Sequence, residues 1–352
     1  MRRLFGLALA LCFFLSGCRA PFSLPRAEEP RSTSIISVLG VENGEKDGIK
    51  VLAVSQKRRE QEALLFESRG DSLSGALLGT RDQGTQTVSY AHVEHILVGA
   101  ETAKTRLSQL LSFCFQNGEQ SIESNIWLLR NENMDAVFAG DLDLANRLST
   151  LKTSGEAGTS LPPRTLRETA AKLADDGSVL IPALRWENDD LEFDSYAIFR
   201  NGDLLGYLDG NLARTTAVLA QESIFWTRQI PINGEREATV QLHSSGCSVK
   251  PLLQDGELKS LNITCDVEGK LMEVWSVGTK EQLHNMVEQQ TKLELEQTIK
   301  RLQQLNADGA DLRRQAGIST FWRWDTIDEQ WQARFSNLPC KITVKAKLTE
   351  HF

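Results

Sequence analysis

The first 18 residues decide which part of this chain can fold as a globular protein. The basic tripeptide Met1-Arg2-Arg3 is followed by an almost unbroken apolar run from Leu4 to Leu15, and then by the small residues Ser16 and Gly17. This order is typical of a secretory signal peptide. The apolar run has 12 residues, whereas a spanning helix needs about 20. We therefore expect residues 1–17 to be removed on export, which leaves 335 of the 352 residues to build the fold.

A cysteine stands directly after this signal. Leu15-Ser16-Gly17-Cys18 resembles the processing site of bacterial lipoproteins. The resemblance implies that the Cys18 thiol takes a diacylglycerol, that a dedicated peptidase cuts before Cys18, and that the new amine is often acylated. Two or three acyl chains hold a protein on a bilayer, because each buried methylene contributes about 0.8 kcal/mol. The alternative is an ordinary secretory signal with a chance cysteine. Residues 18–34, with three prolines, are predicted to be a lipidated tether.

The acidic charge of the chain restricts its partners. The formal net charge is −8, and it becomes −10 once Arg2 and Arg3 leave with the signal. Such a chain is not suited to neutralise phosphates, so we expect no nucleic-acid partner. Anionic headgroups repel it as well, so membrane attachment is assigned to the lipid on Cys18 and not to a basic patch. A content of 41% hydrophobic and 24% charged residues is typical of a globular chain.

Four cysteines remain in the mature chain, namely Cys114, Cys247, Cys265 and Cys340. They form no C-x-x-C pair, and their wide spacing argues against a zinc site. Cys247 and Cys265 lie in neighbouring predicted strands. They could form a disulfide, although buried free thiols are an equal alternative.

Strand and helix patterns alternate in the first half of the mature chain. The patterns predict a hairpin around Asn43-Gly44, a helix capped by Ser72 and one strand over Thr87–Gly99. They then predict an amphipathic helix after Gly99 that carries Leu107 and Cys114, and a strand over Ile122–Leu129. Two more helices are predicted over Leu142–Leu151 and Thr165–Ala174. A strand, a helix and a further strand in this order indicate a parallel crossover. Thr153–Pro163 is the best candidate linker.

From Leu180 onward the pattern is rich in strands. Asn201-Gly202 between two apolar runs predicts a hairpin. The remaining segments are strands over Ala238–Leu242, Cys247–Leu253 and Leu258–Glu268 that form an antiparallel sheet, a long helix over Thr279–Asn306 that packs on this sheet, and a last strand over Lys341–Leu348.

These patterns predict an α+β protein with several domains. Residues 35–176 are expected to form a mixed α/β N-terminal domain, with a small middle domain near 142–176 as an option. Residues 177–352 are expected to form a domain with an antiparallel sheet and one long helix.

Four stretches together resemble one family, the C subunit of the nutrient receptors of bacterial spores, or Ger(x)C lipoproteins. They are the signal ending at Cys18, the segment Tyr90–Ala103, the hairpin Ala197–Leu208, and a tail in which Ala307-Asp308 ends a long helix and Trp331 and Phe335 precede a basic-apolar strand.

The resemblance extends over nearly the whole chain. It implies a lipid-anchored, non-enzymatic subunit of a germinant receptor, needed for nutrient-triggered germination, on the outer face of the spore inner membrane. It also implies two partners, an A subunit with soluble and membrane-spanning parts and a B subunit similar to an amino-acid permease. The molecular role of the C subunit itself does not follow from the resemblance.

No residue pattern indicates a catalytic, cofactor-binding or metal-binding site. His92 and His95 form H-x-x-H, but residues three apart on a strand face opposite sides, so a core histidine is the better interpretation. Ser72 fits a helix cap better than a nucleophile. The pairs Asp175-Asp176 and Asp189-Asp190 fit polar turns.

The aromatic residues near the C-terminus allow two interpretations. Trp322, Trp324 and Trp331 could form a ligand platform or a partner surface, but aromatic residues on a short helix beside a sheet are more often core.

Two other functions compete with the receptor subunit. A solute-binding lipoprotein of an importer would show two doubly wound lobes, and a lipoprotein hydrolase would show a nucleophile or metal motif. Neither pattern fits the sequence.

Overall fold

The computed structural model describes residues 33–56, 63–82, 87–131, 133–140, 143–156, 162–175, 177–232, 235–274 and 280–349. The predicted signal peptide, Cys18 and most of the predicted tether lie outside the described residues. No helix among the described residues is long and apolar enough to cross a membrane.

The chain enters the fold through a hairpin, as predicted. Strands β1 (Thr33–Asn43) and β2 (Ile49–Ser55) pair in antiparallel register, with Val41 opposite Val51. β1 begins at Thr33, so the last two residues of the predicted tether are in the strand. A further edge strand, β3 (Leu65–Gly70), pairs with β2 and was not predicted.

Two parallel crossovers follow the hairpin. Helix α1 (Leu73–Arg81) leads to β4 (Thr87–Ser89) and β5 (His95–Gly99), both parallel to β1. The prediction of a single strand over Thr87–Gly99 is wrong, because the chain turns between Tyr90 and Val93. Helix α2 (Ala100–Gln116) then connects β5 to β6 (Asn125–Leu129), which confirms the predicted parallel crossover.

Three helices lead to the second half of the same sheet. They are α3 (Met134–Gly140), α4 (Leu144–Glu156) and α5 (Leu166–Asp175), and they precede β7 (Ser178–Glu187), which is parallel to β6. β8 (Asp190–Arg200) and β9 (Asp203–Asp209) continue this sheet in antiparallel order. The predicted hairpin at Asn201-Gly202 is confirmed. Both residues have positive φ (53° and 92°), as a two-residue turn of type I′ requires.

A second, four-stranded sheet fills the C-terminal part. Helix α6 (Gly210–Leu219) leads to its strands β10 (Phe225–Ile232), β11 (Glu235–Gln254), β12 (Glu257–Val274) and β13 (Cys340–Thr349). The two predicted strands between Ala238 and Leu253 are one long strand whose register shifts near Gly246. β13 is parallel to β12, because three helices intervene and bring the chain back to the same end: α7 (Lys280–Gln304), α8 (Leu312–Ser319) and α9 (Trp324–Arg334).

The large sheet, ordered β3-β2-β1-β5-β6-β7-β8-β9, is buried on both faces. One face packs against α1 and α2 through residues such as Ile96, Val98 and Leu107. On the other face, α3 and α4 cover the N-terminal strands. Leu180 and Ile198 join the core of the second sheet. The mixed α+β class is thereby confirmed. The domain boundary predicted at residues 176 and 177 stays a prediction, and the strands on its two sides share one sheet.

Candidate functional site

The buried histidine of the H-x-x-H motif stands at the start of β5. His95 is 1% exposed. Its Nδ1 accepts the indole N–H of Trp127 (Nε1–Nδ1 3.2 Å), and its Nε2 lies 3.0 Å from the Ser149 hydroxyl oxygen on α4. His92 lies in the preceding turn and is exposed. The two histidines therefore have different environments, and His95 is a core histidine, as predicted.

The hydrogen bond from Trp127 determines the tautomer of His95. An indole N–H only donates, and a neutral imidazole has one donor and one acceptor nitrogen. Nδ1 is the acceptor, so Nε2 carries the hydrogen and donates a hydrogen bond to the hydroxyl of Ser149. Burial, together with the positive charge of Lys152, lowers the pKa of His95 to about 4. The Ser149–His95 pair thus has the polarity opposite to that of a nucleophile and its general base.

A polar trough lies beside this pair, at the amino ends of β5 and β6. Two adjoining cavities of about 290 Å³ and 370 Å³ share Asn125 and Lys152 in their walls. Glu94 lines one cavity, and Arg164 and Glu222 line the other. Small polar solutes fit there by size. Among the described residues, no group of three or more His, Cys, Asp or Glu side chains is placed to hold a metal ion.

The described cysteines divide into one disulfide and two buried or half-buried thiols. Cys247 and Cys265 face each other across β11 and β12 and are bonded to each other. Cys114 donates to Oε1 of Gln120 (2.9 Å). Burial raises the pKa of Cys114 and of Cys340 to about 12. Both thiols stay protonated at neutral pH and are poor nucleophiles.

Ser72, Asp175 and Asp190 have structural partners. The hydroxyl of Ser72 accepts the backbone N–H of Gly75 (3.1 Å), so the predicted N-cap of α1 is confirmed. Asp190 forms an ion pair with Arg147. Asp175 forms one with Arg313 (2.7 Å), so it is part of a junction and not only of a polar turn. Asp176 lies outside the described residues.

The Ala307-Asp308 pair of the family-like tail lies where the second half of the chain meets the large sheet. Asp308 is 4% exposed. Its two carboxylate oxygens accept the backbone N–H groups of Leu312 (2.9 Å) and Arg313 (2.7 Å) and so cap helix α8. Burial raises the pKa of this carboxyl group, and the two N–H donors act against the increase. The backbone of Gly309 packs on Leu180, where an added Cβ would lie 3.1 Å from Cδ2.

Arg313 connects the elements around this cap. It forms ion pairs with Asp175 at the end of α5 and with Asp328 on α9, and its guanidinium lies over the ring of Trp324 (5.3 Å to the ring centre). Lys172 of α5 forms a further ion pair with Asp311. These contacts tie α5, which packs on the large sheet, to α8 and α9 of the C-terminal part.

The three tryptophans of the tail have different environments. Trp331 is 3% exposed and stacks on Phe335 in the core, as predicted. Trp324 is half-buried against Gly317. Trp322 is 68% exposed, so the core interpretation is wrong for this residue. It stands in a 3-10 turn, Phe321–Arg323, between α8 and α9.

The sequence did not predict the ion pairs that Lys172 and Asp175 form with Asp311 and Arg313, nor the exposed turn at Phe321. The family-like Ala307-Asp308 pair was the available signal for the junction, but Lys172 and Asp175 lie more than 130 residues before it. For the turn, the signal was two aromatic residues next to each other on a segment too short to bury both.

Family models match both halves of the chain, and a solved structure has a similar fold. The model described as spore germination protein N-terminal domain matches residues 27–185, and the model described as spore germination B3/GerAC like, C-terminal, matches residues 194–351. The fold is similar to the crystal structure of the GerBC protein, with a TM-score of 0.57 and 15% identity over 88% of this chain and 96% of that chain. No curated protein sequence matches the chain.

Proposed function

The chain belongs to the GerAC-like family of spore germination proteins, and from this premise we propose that it is a lipid-anchored, non-enzymatic subunit of a receptor that starts germination in response to nutrients. The observation that carries the proposal is that the two family models match both halves of the chain in the expected order. The likeness to the GerBC protein supports the fold of such a subunit.

The proposed location depends on the first residues of the sequence. The basic start, the short apolar run and Cys18 support export and acylation. The protein would then face outward from the spore inner membrane. Its proposed partners are the A subunit and the permease-like B subunit of the same receptor, both in that membrane.

The environment of the reactive side chains supports a role without catalysis. In the described part of the chain, the Ser149 hydroxyl accepts a hydrogen bond from Nε2–H of His95, so this nitrogen cannot take the proton of Ser149. The thiols of Cys114 and Cys340 have pKa values of about 12. We expect purified protein to show no activity on panels of esterase, peptidase and muramidase substrates. It should also contain no zinc by elemental analysis, and one equivalent of zinc or reproducible turnover would contradict the proposal.

Replacement of Cys18 by alanine tests the anchor. The Cys18→Ala precursor should stay uncut and take up no labelled lipid, because no other cysteine follows a Leu-Ser-Gly sequence. Cys12→Ala is the matched control, since Cys12 lies inside the apolar run and should be dispensable. Normal cutting and membrane retention of Cys18→Ala would contradict lipid attachment.

A second experiment separates a scaffold from a nutrient sensor. Attachment to one surface raises the effective concentration of a subunit near its partners to about millimolar, so a scaffold can work with weak contacts. The form without lipid should then fail to restore germination in a deletion strain. The protein should also show no melting shift with single amino acids or sugars, because a ligand of the folded state at a hundredfold excess over its dissociation constant adds about 2.7 kcal/mol. A clear shift with one nutrient would instead favour direct sensing by this subunit.

The importer alternative finds no supporting observation. A solute-binding lipoprotein would have two doubly wound lobes. In the described residues, the first sheet mixes parallel and antiparallel strands, and the second is antiparallel except for β13.

A further inference from the structure

Three apolar side chains, one near the end of α8 and two in the turn after it, are more exposed than any other large apolar side chain in the described part of the chain. Phe321 is 74% exposed, Trp322 68% and Ile318 67%. They lie within five residues of one another, and we refer to these three residues as the aromatic patch. Contiguous exposed apolar surface of this kind marks an interaction site, whereas single exposed residues do not.

The aromatic patch stands on a well-supported base. Trp324, directly after the turn, packs on Gly317 of α8 and lies under the guanidinium of Arg313. The rings of Phe321 and Trp322 are arranged edge to face, with centres 5.1 Å apart. The backbone of the turn is therefore held to the core by Trp324, while the two preceding rings are left to solvent.

The size and shape of the patch favour a bilayer over a protein as its partner. A stable protein interface buries about 800 Å² on each side, and two aromatic side chains with one isoleucine offer roughly 400–600 Å². A short turn that carries Phe and Trp, with Ile at the end of the preceding helix, suits the zone between headgroups and acyl chains, where apolar side chains are buried by about 5–10 Å and tryptophan is enriched.

The charges around the patch fit lipid headgroups. Arg314 and Arg323 flank it and are exposed, and within the described residues neither guanidinium forms an ion pair. Asp325, also exposed, follows on the first turn of α9. The formal charges of Arg314, Arg323 and Asp325 add up to a positive value, although the whole chain is acidic. Phosphate groups can thus approach this region of the surface.

The patch also lies within reach of the start of the chain. Val38 of β1 pairs with His95 of β5, and His95 pairs with Asn125 of β6. His95 and Asn125 are the first residues of their strands, so Thr33, which precedes Val38, enters the large sheet at the amino ends of its parallel strands. Asp175 precedes β7 at that same edge and contacts Arg313, less than two helical turns before Ile318. The 15 residues from Cys18 to Thr33 can span at most about 50 Å. The distance from β1 to β7 is three strand spacings, or roughly 14 Å, so this segment is long enough to cross it.

We propose that the aromatic patch inserts into the headgroup region of the bilayer that holds the acylated Cys18. The inference rests on the proposed lipid anchor and adds to it a second, non-covalent contact. The acyl chains supply retention, whereas the patch fixes which side of the protein faces the membrane. The junction around Arg313 would then lie next to the bilayer, and the carboxyl ends of the parallel strands would face away.

Fluorescence quenching by brominated phospholipid tests the contact. The full-length lipidated protein is reconstituted into vesicles of phosphatidylcholine and phosphatidylglycerol, with and without bromine on the acyl chains. The difference between wild type and Trp322→Phe isolates the emission of Trp322. We expect this emission to shift to shorter wavelength on vesicles and to lose most of its intensity with brominated lipid.

A tryptophan at the opposite edge of the large sheet serves as the control. Lys104 is exposed and lies in the first turns of α2, directly after the carboxyl end of β5, so Lys104→Trp in the Trp322→Phe background should give an emission that brominated lipid does not quench. If Trp322 is unquenched on vesicles that carry the protein, the proposed insertion is wrong. A shift of its emission only after the receptor's membrane subunits are added would also overturn it and would assign the patch to a protein partner. Protein that does not float with the vesicles would instead contradict the lipid anchor, which is a separate readout.

Discussion

Trp127 donates its indole N–H to Nδ1 of His95, an imidazole that burial and the positive charge of Lys152 keep neutral. The ring nitrogen that would accept a proton in acid is already occupied by a donor. Protonation therefore requires the loss of a buried hydrogen bond as well as the burial of a charge. The pair thus predicts how stability depends on pH.

We expect the protein to lose stability as the pH falls from 6.5 to about 4. The pKa of His95 is lowered from 6.5 to about 4 in the folded chain, so between these values the unfolded chain binds a proton that the folded chain does not. The free energy of unfolding then decreases with falling pH, by at most about 3 kcal/mol from this group. Below about pH 4 the contribution no longer changes.

The measurement is urea unfolding of wild type and His95→Gln from neutral pH to about pH 4. Glutamine can accept from Trp127 and donate to Ser149, but it does not titrate. The variant should be less sensitive to pH than wild type over this range. Equal pH dependence of the two proteins would show that His95 titrates alike in the folded and unfolded chain.

The disulfide between Cys247 and Cys265 should contribute about 3 kcal/mol to stability. The two cysteines are separated by 18 residues, and closing a loop of this length restricts the unfolded chain by roughly that free energy. Cys247→Ser with Cys265→Ser should lower the denaturation midpoint of the oxidised protein, and reductant should then have no further effect. Cys340→Ser is the control and should leave the response to reductant intact. A wild-type midpoint that does not respond to full reduction would rule out the bond.

Asp308→Ala should destabilise the protein by about 2–4 kcal/mol, because it leaves two buried N–H groups without acceptors. Asp308→Asn should cost less, since one oxygen remains to accept. The matched control is Asp311→Asn in the same loop. It removes only the ion pair with Lys172, and asparagine tolerates the positive φ of 58° at this position. Chemical denaturation would rank the three variants, and a cost for Asp311→Asn as large as that for Asp308→Ala would refute the capping role.

Gly317→Ala should displace Trp324 and cost about 1–3 kcal/mol, as overpacking does in other cores. An added methyl group would overlap the ring carbons Cε3 and Cζ3 of Trp324. The control is Gly118→Ala, where an added Cβ meets no atom within 4 Å. Thermal unfolding and tryptophan emission would both report the change. If the two alanine variants melt alike, Trp324 does not pack on Gly317 in solution.

Local patterns were predicted well because they depend on residues close in sequence. The turn at Asn201-Gly202 requires two residues that accept positive φ, and the stripe of Leu107 and Cys114 on α2 needs only helical spacing. The cap at Ser72 likewise involves a bond three residues away. Such signals can be read without knowing where the rest of the chain lies.

Pairing between distant segments could not be read in this way. The run at Leu180 suits a strand in either sheet, and β13 has the same alternation whether it pairs parallel or antiparallel. The strand β3 was missed because Phe66 is its only buried large apolar residue, whereas Leu65 and Arg69 are exposed. The partners become evident only when the whole sheet is assembled.

The sequence by itself determined the hairpins, the amphipathic helices and the membership of a germination family, and it carries the signal that predicts acylation at Cys18. The tertiary structure alone decided that Arg313 pairs with Asp175, that His95 is a hydrogen-bond donor to Ser149, and that Trp322 is exposed while Trp331 is buried. The reason is physical. Backbone conformation follows from neighbours a few residues apart, whereas burial and protonation depend on groups that only folding brings together.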